Sequence, residues 1–257
     1  MTEIHPAKKA AIDLFKAFSL GRSSNELYPV DCEFIAKNLG IEVIGESMGD
    51  DFQACLYLSG KVKAIIYNSA VSVAGRLNFT IGHELGHYCL HRNLGDRQCT
   101  LDDLDNIGST PPHGQDIERE ANLFAANLLM PASDFRTQLM GSPADLELVT
   151  ALSSRYGTSL LATLYRLKEL SAKPITVIMV DKFDTIISVW KNRGFEELYI
   201  PKSYQLDEPL PYNRTHTVVN PEYFGIRQEN CPFVLYQSSI DYKFNGMKIV
   251  LLTGEPM

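Results

Sequence analysis

The run Phe79-Thr80-Ile81-Gly82-His83-Glu84-Leu85-Gly86-His87 carries the pattern HExxH. On an α-helix, positions i and i+4 share a face about one turn apart. His83 and His87 can therefore aim ring nitrogens at one ion. Glu84 is displaced by about 100° around the axis. It can face a water held by that ion without being a ligand itself. Zinc suits such a pair, because imidazole and carboxylate are good donors and a catalytic site keeps one position open for water. Bound zinc lowers the pKa of water to about 7, and a neighbouring carboxylate can take its proton as it attacks a carbonyl. The bland alternative is a surface helix with two unrelated histidines. Gly82 and Gly86 oppose it, since ordinary helix propensity would prefer alanine there. Glycine is reasonable if another backbone packs closely. Phe79, Ile81, Leu85 and Leu90 make the segment apolar on its other faces, so it should be buried, and buried polar groups need partners.

A third ligand is required. The extended spacing HExxHxxGxxH is absent, because the position six beyond His87 is Asn93. Cys89 lies on a different helix face from the two histidines. His91 stands one turn further along, and three successive turns cannot all point at one ion, so it reads as an outer or capping group. The other candidates are His113, the aspartates among 102–105, and Asp116, Glu118 and Glu120 on the next helix. That helix runs Ile117-Glu118-Arg119-Glu120-Ala121-Asn122-Leu123-Phe124-Ala125-Ala126-Asn127-Leu128-Leu129 and stops at Met130-Pro131. Its apolar stripe is Ala121, Phe124, Ala125, Leu128 and Leu129. Glu118 falls on or near that inward face, whereas Glu120 points further away. A carboxylate directed inward needs a cation. Asn122, one turn on, can accept a histidine N–H and orient a ligand ring.

The elements that must position these residues follow from periodicity. Residues 6–20 place Ala11, Leu14, Phe15 and Phe18 at helical spacing, with Pro6 in the first turn. Asp31 reads as the N-cap of a short helix over 32–39, and Gly40 as its stop. Residues 41–45, 53–58 and 62–67 read as strands, with Ser59-Gly60 as a tight turn. The strand Val62–Asn68 is expected at the sheet edge above the HExxH helix, where it would hold an extended substrate by strand addition. Helical pattern runs from about residue 70 to 92, a loop over 93–115 follows, and helices return at 116–129, 146–156 and 159–170. After Lys173-Pro174 the texture changes. Segments 175–180, 185–190, 197–200, 233–236 and 248–252 are strand-like. The expected organisation is a helix-rich domain over 1–173 with a small β-sheet, followed by a smaller β-rich domain over 174–257.

The blocks Arg76–Arg92 and Ile117–Pro131, in that order, resemble the ImmA/IrrE family of zinc metallopeptidases. The likeness extends over about residues 5–170, through Pro29-Val30-Asp31, Leu39-Gly40-Ile41, Ile65–Asn68 and Leu152–Leu167. The resemblance implies a compact zincin-like α+β domain. It makes His83, His87 and Glu118 the Zn2+ ligands and Glu84 the catalytic base. Asn122 stands where related zinc peptidases often carry Asp. The family implies a zinc-dependent endopeptidase that cleaves a protein substrate, typically a helix-turn-helix transcriptional repressor encoded nearby, in mobile-element or stress control. Residues 174–257 match no family block and could fill a sensory or substrate-binding place.

Composition excludes other classes. The formal net charge is −7, from 24 Lys and Arg against 31 Asp and Glu. That argues against a chain built to hold nucleic-acid phosphates. Residues 146–170 could pass for a helix-turn-helix, but their balanced charge makes a poor DNA reader. Leu148, Leu152, Leu160, Leu161, Leu164 and Leu167 are expected instead to pack beneath the zinc site. The loop over 93–115 holds Asp96, Asp102, Asp103 and Asp105 against Arg97. It reads as a solvated segment, the sharper alternative being an acidic rim that steers a basic substrate. Met1–Leu20 lacks an apolar signal region, and no run approaches membrane-span length. Five scattered cysteines without CxxC read as reduced thiols, so a cytoplasmic location is expected. The rival functional reading is a non-hydrolytic regulator, stabilised by zinc, that binds a transcription factor or ligand.

Overall fold

The computed structural model describes residues 4–23, 26–49, 52–70, 74–92, 97–100, 116–242 and 246–257. The chain divides into two compact units. One comprises Met1–Asp134 with Ser153–Ala162, the other Phe135–Leu152 with Thr163–Met257.

The first unit opens with α1 (Pro6–Ser19), whose Pro6 occupies the first turn as expected. Here the missing proline N–H costs nothing, because first-turn donors have no partner within the helix. In α2 (Cys32–Asn38) the Asp31 carboxylate accepts from Phe34 N–H at 2.8 Å, closing the N-terminus. Gly40 follows at φ +70°, the left-handed conformation that ends helices cheaply only with glycine. The sheet contains β1 (Glu42–Glu46), β2 (Phe52–Ser59), β3 (Val62–Asn68) and β4 (Arg97–Thr100) in the order β1-β3-β2-β4. β1 runs parallel to β3, and the other pairs are antiparallel.

Two expectations fail in this sheet. β3 lies between β1 and β2, so it has no open edge for a substrate strand. Ile66, for example, is paired with Ile44 on one side and Cys55 on the other. The second concerns residues 93–115. Arg97–Thr100, expected as loop, form β4 along the free side of β2. The segment carries no apolar alternation, and its strand character comes from the ladder it completes. The rest of that stretch, with its aspartates and His113, lies outside the described residues.

The helices α3 (Ala74–Leu90) and α4 (Asp116–Leu129) bring the HExxH motif and its candidate partners together. From Phe79 through Tyr88 every residue of α3 is buried. A helix enclosed on all sides needs apolar residues on all faces, apart from groups with a chemical task. Asn78 anchors it, donating to Val30 O at 2.9 Å and accepting from Cys32 N–H at 3.3 Å.

The second unit is built on a five-stranded antiparallel sheet. Its strands are β5 (Ile175–Val180), β6 (Ile186–Lys191), β7 (Asn213–Val219), β8 (Phe233–Tyr242) and β9 (Met247–Pro256), in the order β6-β5-β9-β8-β7. Its apolar core gathers Ile178, Ile186, Phe195, Leu198, Phe224, Leu235, Val250 and Leu252. Residues 197–200, expected as a strand, make none. Leu198 and Ile200 are buried in that core without a ladder partner, so their apolar alternation reflects burial alone. The short helix α5 (Ala132–Gln138) was not expected, and of its residues only Phe135 is buried.

The helices α6 (Leu146–Tyr156) and α7 (Leu160–Leu170) appear as expected, separated by Gly157 at φ +59°. Of the leucines on them, Leu160 and Leu161 belong to the first unit with the HExxH helix, and Leu148, Leu152, Leu164 and Leu167 belong to the second. Within the second unit, Leu146 N–H donates to Ser238 Oγ of β8 at 3.0 Å.

Candidate metal centre

His83, His87 and Glu118 present ligand atoms that all lie within 4.8 Å of one another. His83 Nε2 and His87 Nε2 are 3.0 Å apart. Glu118 Oε2 is 3.1 Å from the first and 3.2 Å from the second. Zinc–nitrogen bonds of about 2.0–2.1 Å at tetrahedral angles set donor atoms roughly 3.3 Å apart. The near-equilateral triangle therefore fits one small ion bound on one side, with a fourth position open. Two neutral nitrogens and one carboxylate are also a donor set suited to zinc.

The outer contacts decide which ring nitrogen each histidine offers. Asn122 Oδ1 lies 2.9 Å from His83 Nδ1. An amide oxygen only accepts, so His83 carries its hydrogen on Nδ1 and turns Nε2 toward the triangle. Burial disfavours charge on His83, but its hydrogen bond to the Glu118 carboxylate, the Glu84 and Glu118 charges and the Asn122 bond together raise its pKa above the ordinary histidine value. Glu118 shows the reverse balance. Burial pushes its carboxyl up, and the two histidine bonds and charges hold it well below the usual carboxylate range.

Glu84 is fully buried, next to His83 in the chain, and its charge acts on that ring. The structure thus brings the buried His83, His87, Glu84 and Asn122 together with the partly exposed Glu118 on two helices. Gly86 explains how the helices approach. A Cβ there would stand 3.0 Å from Ala121 Cα and 3.2 Å from Ala121 O. Gly82 is under less constraint, its nearest neighbour being Cys32 Sγ at 3.4 Å.

Sequence reasoning set Glu120 aside as pointing away from the apolar stripe. In the fold it reaches His91, with Oε2 2.9 Å from His91 Nε2, and His91 Nδ1 is 3.1 Å from His87 Nδ1. The signal was present in the i, i+4 spacing of His87 and His91. What the periodicity could not show was that a carboxylate from the next helix closes the chain of contacts.

No curated protein matches this chain. Among solved structures it is similar to one described as a Mycobacterium tuberculosis transcriptional regulator, with a TM-score of 0.57 and 15% identity, covering 98% of this chain and 77% of that one. The likeness is one of fold. A family model, described as the IrrE N-terminal-like domain of peptidase family M78, matches residues 36–168. That span includes the HExxH helix, the Glu118 helix and the sheet beside them, and on this match the chain belongs to the M78 peptidase family.

Proposed function

We propose that this protein is a zinc-dependent endopeptidase that cuts a protein substrate, with a helix-turn-helix transcriptional repressor as the substrate class. The observation that carries the reading is the His83–His87–Glu118 triangle, with Glu84 fully buried on the helix that carries the two histidines. A purely structural ion has no use for an additional buried carboxylate beside an open coordination position. His83, His87 and Glu118 would hold the metal, which would supply Lewis acidity and lower the pKa of water there. Asn122 keeps His83 in the tautomer that presents Nε2. Glu84 takes the proton of the attacking water and returns it to the departing amine, since a base that gains a proton early can act as the acid later.

We assign this chemistry to the metallopeptidase region, 1–173, and give 174–257 a sensory or substrate-binding part. The net charge of −7 fits a protein rather than a nucleic-acid substrate.

The test is incubation of the purified chain with candidate repressors, watched for a discrete cut that a chelator stops and zinc restores. Glu84→Gln is the critical variant. Gln is nearly isosteric and cannot accept the proton, so zinc content should stay near parent while cleavage falls by roughly 10²–10⁴-fold or more. Zinc present with cleavage unchanged would eliminate this mechanism. A second reading is motivated by the description of the structural neighbour as a transcriptional regulator. In it, zinc holds the fold and the protein regulates by binding alone. That reading expects derepression in cells to survive Glu84→Gln with the repressor intact.

A further inference from the structure

We propose that His91 and Glu120 are positioning residues: together they fix the ring of His87 so that its Nε2, and no other nitrogen, faces the metal. The inference rests on the metal-site reading above and adds two residues to it.

The argument is one of hydrogen-bond polarity. For His87 to bind an ion through Nε2, its other nitrogen must carry the hydrogen. His87 Nδ1 lies 3.1 Å from His91 Nδ1. The bond between them requires one donor and one acceptor, so His91 must leave its Nδ1 bare and carry its hydrogen on Nε2. His91 Nε2 lies 2.9 Å from Glu120 Oε2, and a carboxylate accepts that hydrogen. Each contact in the row Glu120, His91, His87 is thus satisfied in one direction only. That direction leaves the His87 Nε2 lone pair pointing at Glu118 and His83.

Burial makes the arrangement consequential. The His91 side chain is 7% exposed and that of Glu120 is 32% exposed. Water has little access to replace either bond at the His91 ring. His83 reaches the same end through a single amide, Asn122. The two ligand histidines are therefore oriented by different means, one by a neutral acceptor and one by a relayed carboxylate. A carboxylate acting through an imidazole also increases electron density on the ligand ring, which strengthens the metal bond.

The test uses the full chain and reads metal affinity rather than catalysis. Zn2+ binding is measured by competition with a chromophoric chelator, and Co2+ in the same site gives a visible spectrum sensitive to ligand geometry. His91→Phe removes both bonds and should weaken Zn2+ binding by about 10–100-fold, the usual effect of losing such a partner. His91→Gln is the rescue: the carboxamide offers an acceptor and a donor on one planar group, and should restore affinity and the Co2+ spectrum toward parent. Glu120→Ala, at a partly exposed position, should weaken binding in the same direction as His91→Phe and keeps the test open if the Phe variant fails to fold. Parent affinity in both His91→Phe and Glu120→Ala would overturn the proposal. So would a Gln variant as weak as Phe alongside a normal Glu120→Ala. Failure of the metal-site reading looks different: the parent itself would bind no Zn2+, and His87→Ala would change nothing.

Discussion

Asn122 Oδ1 at 2.9 Å from His83 Nδ1 and His91 Nδ1 at 3.1 Å from His87 Nδ1 leave two Nε2 atoms facing one carboxylate oxygen. That residue-level arrangement makes Glu118→Ala a sharp test. Removing the one carboxylate of the triangle should abolish stoichiometric zinc binding, measured by metal analysis of the dialysed protein. The opposed pKa directions give a pH dependence. In the metal-free protein the lowered Glu118 contributes stability above the ordinary carboxylate pKa and loses it as pH falls through its own depressed value. The raised His83 contributes below about 6.5 and loses that contribution as pH rises through its elevated value. Metal binding must displace the His83 proton, so zinc affinity should strengthen as pH rises from about 6 to 8, by chelator competition. A flat profile would exclude His83 as a ligand that releases a proton. At this scale the sequence was informative because the two histidines, at i and i+4, share one helix face. Spacing pointed to His83 and His87, the apolar stripe of the next helix favoured Glu118 over Glu120, and the family resemblance joined the three as a ligand set; Asn122 followed one turn on. Glu120 escaped because a helical stripe describes Cβ directions, and a long carboxylate can bend back to a neighbouring helix.

Helix α3 meets α4 at its tightest where Gly86 faces Ala121, and the two glycines of α3 should behave differently. Gly86→Ala forces a Cβ to within 3.0 Å of backbone and 3.2 Å of Phe124 Cβ. Neither can retreat without moving α4, so the variant should lose about 1–3 kcal/mol of stability, as overpacked sites do. Its zinc affinity should fall as well, since α4 carries Glu118. Gly82→Ala meets ordinary contacts of 3.4–3.8 Å and should be neutral or gain up to about 1 kcal/mol from helix propensity. Denaturant midpoints of both variants, with and without zinc, separate these outcomes. Ile66→Pro, which would test an edge strand, instead breaks a ladder inside the sheet, because β3 is paired on both sides. The helices were legible from caps and periodicity, as Asp31 and Pro6 illustrate. The strand order was not, since alternation identifies a strand but says nothing about its neighbours. β7 escaped for a related reason: its Asn213–Val219 face is largely exposed and shows no apolar alternation to read.

Every residue assigned to the metal centre, from His83 to Asn122 and including His91 and Glu120, lies in the unit formed by Met1–Asp134 and Ser153–Ala162. The five-stranded sheet and its apolar core lie wholly in the other unit. A ligand stabilises only the structure whose unfolding releases it. Zinc in 1,000-fold excess over its Kd is worth about 4 kcal/mol to the unit that binds it and nothing directly to the other. Scanning calorimetry of the whole chain should therefore show a transition that falls when a chelator removes zinc and returns when zinc is restored. Any transition from the second unit should hold its temperature throughout. Glu118→Ala supplies the control, because its unfolding should be the same with or without chelator. A single transition that follows zinc would show that the units unfold as one cooperative structure, and two that shift together would show that they are energetically coupled. A shift confined to the first would instead mean that the second unit unfolds independently of metal occupancy in the first.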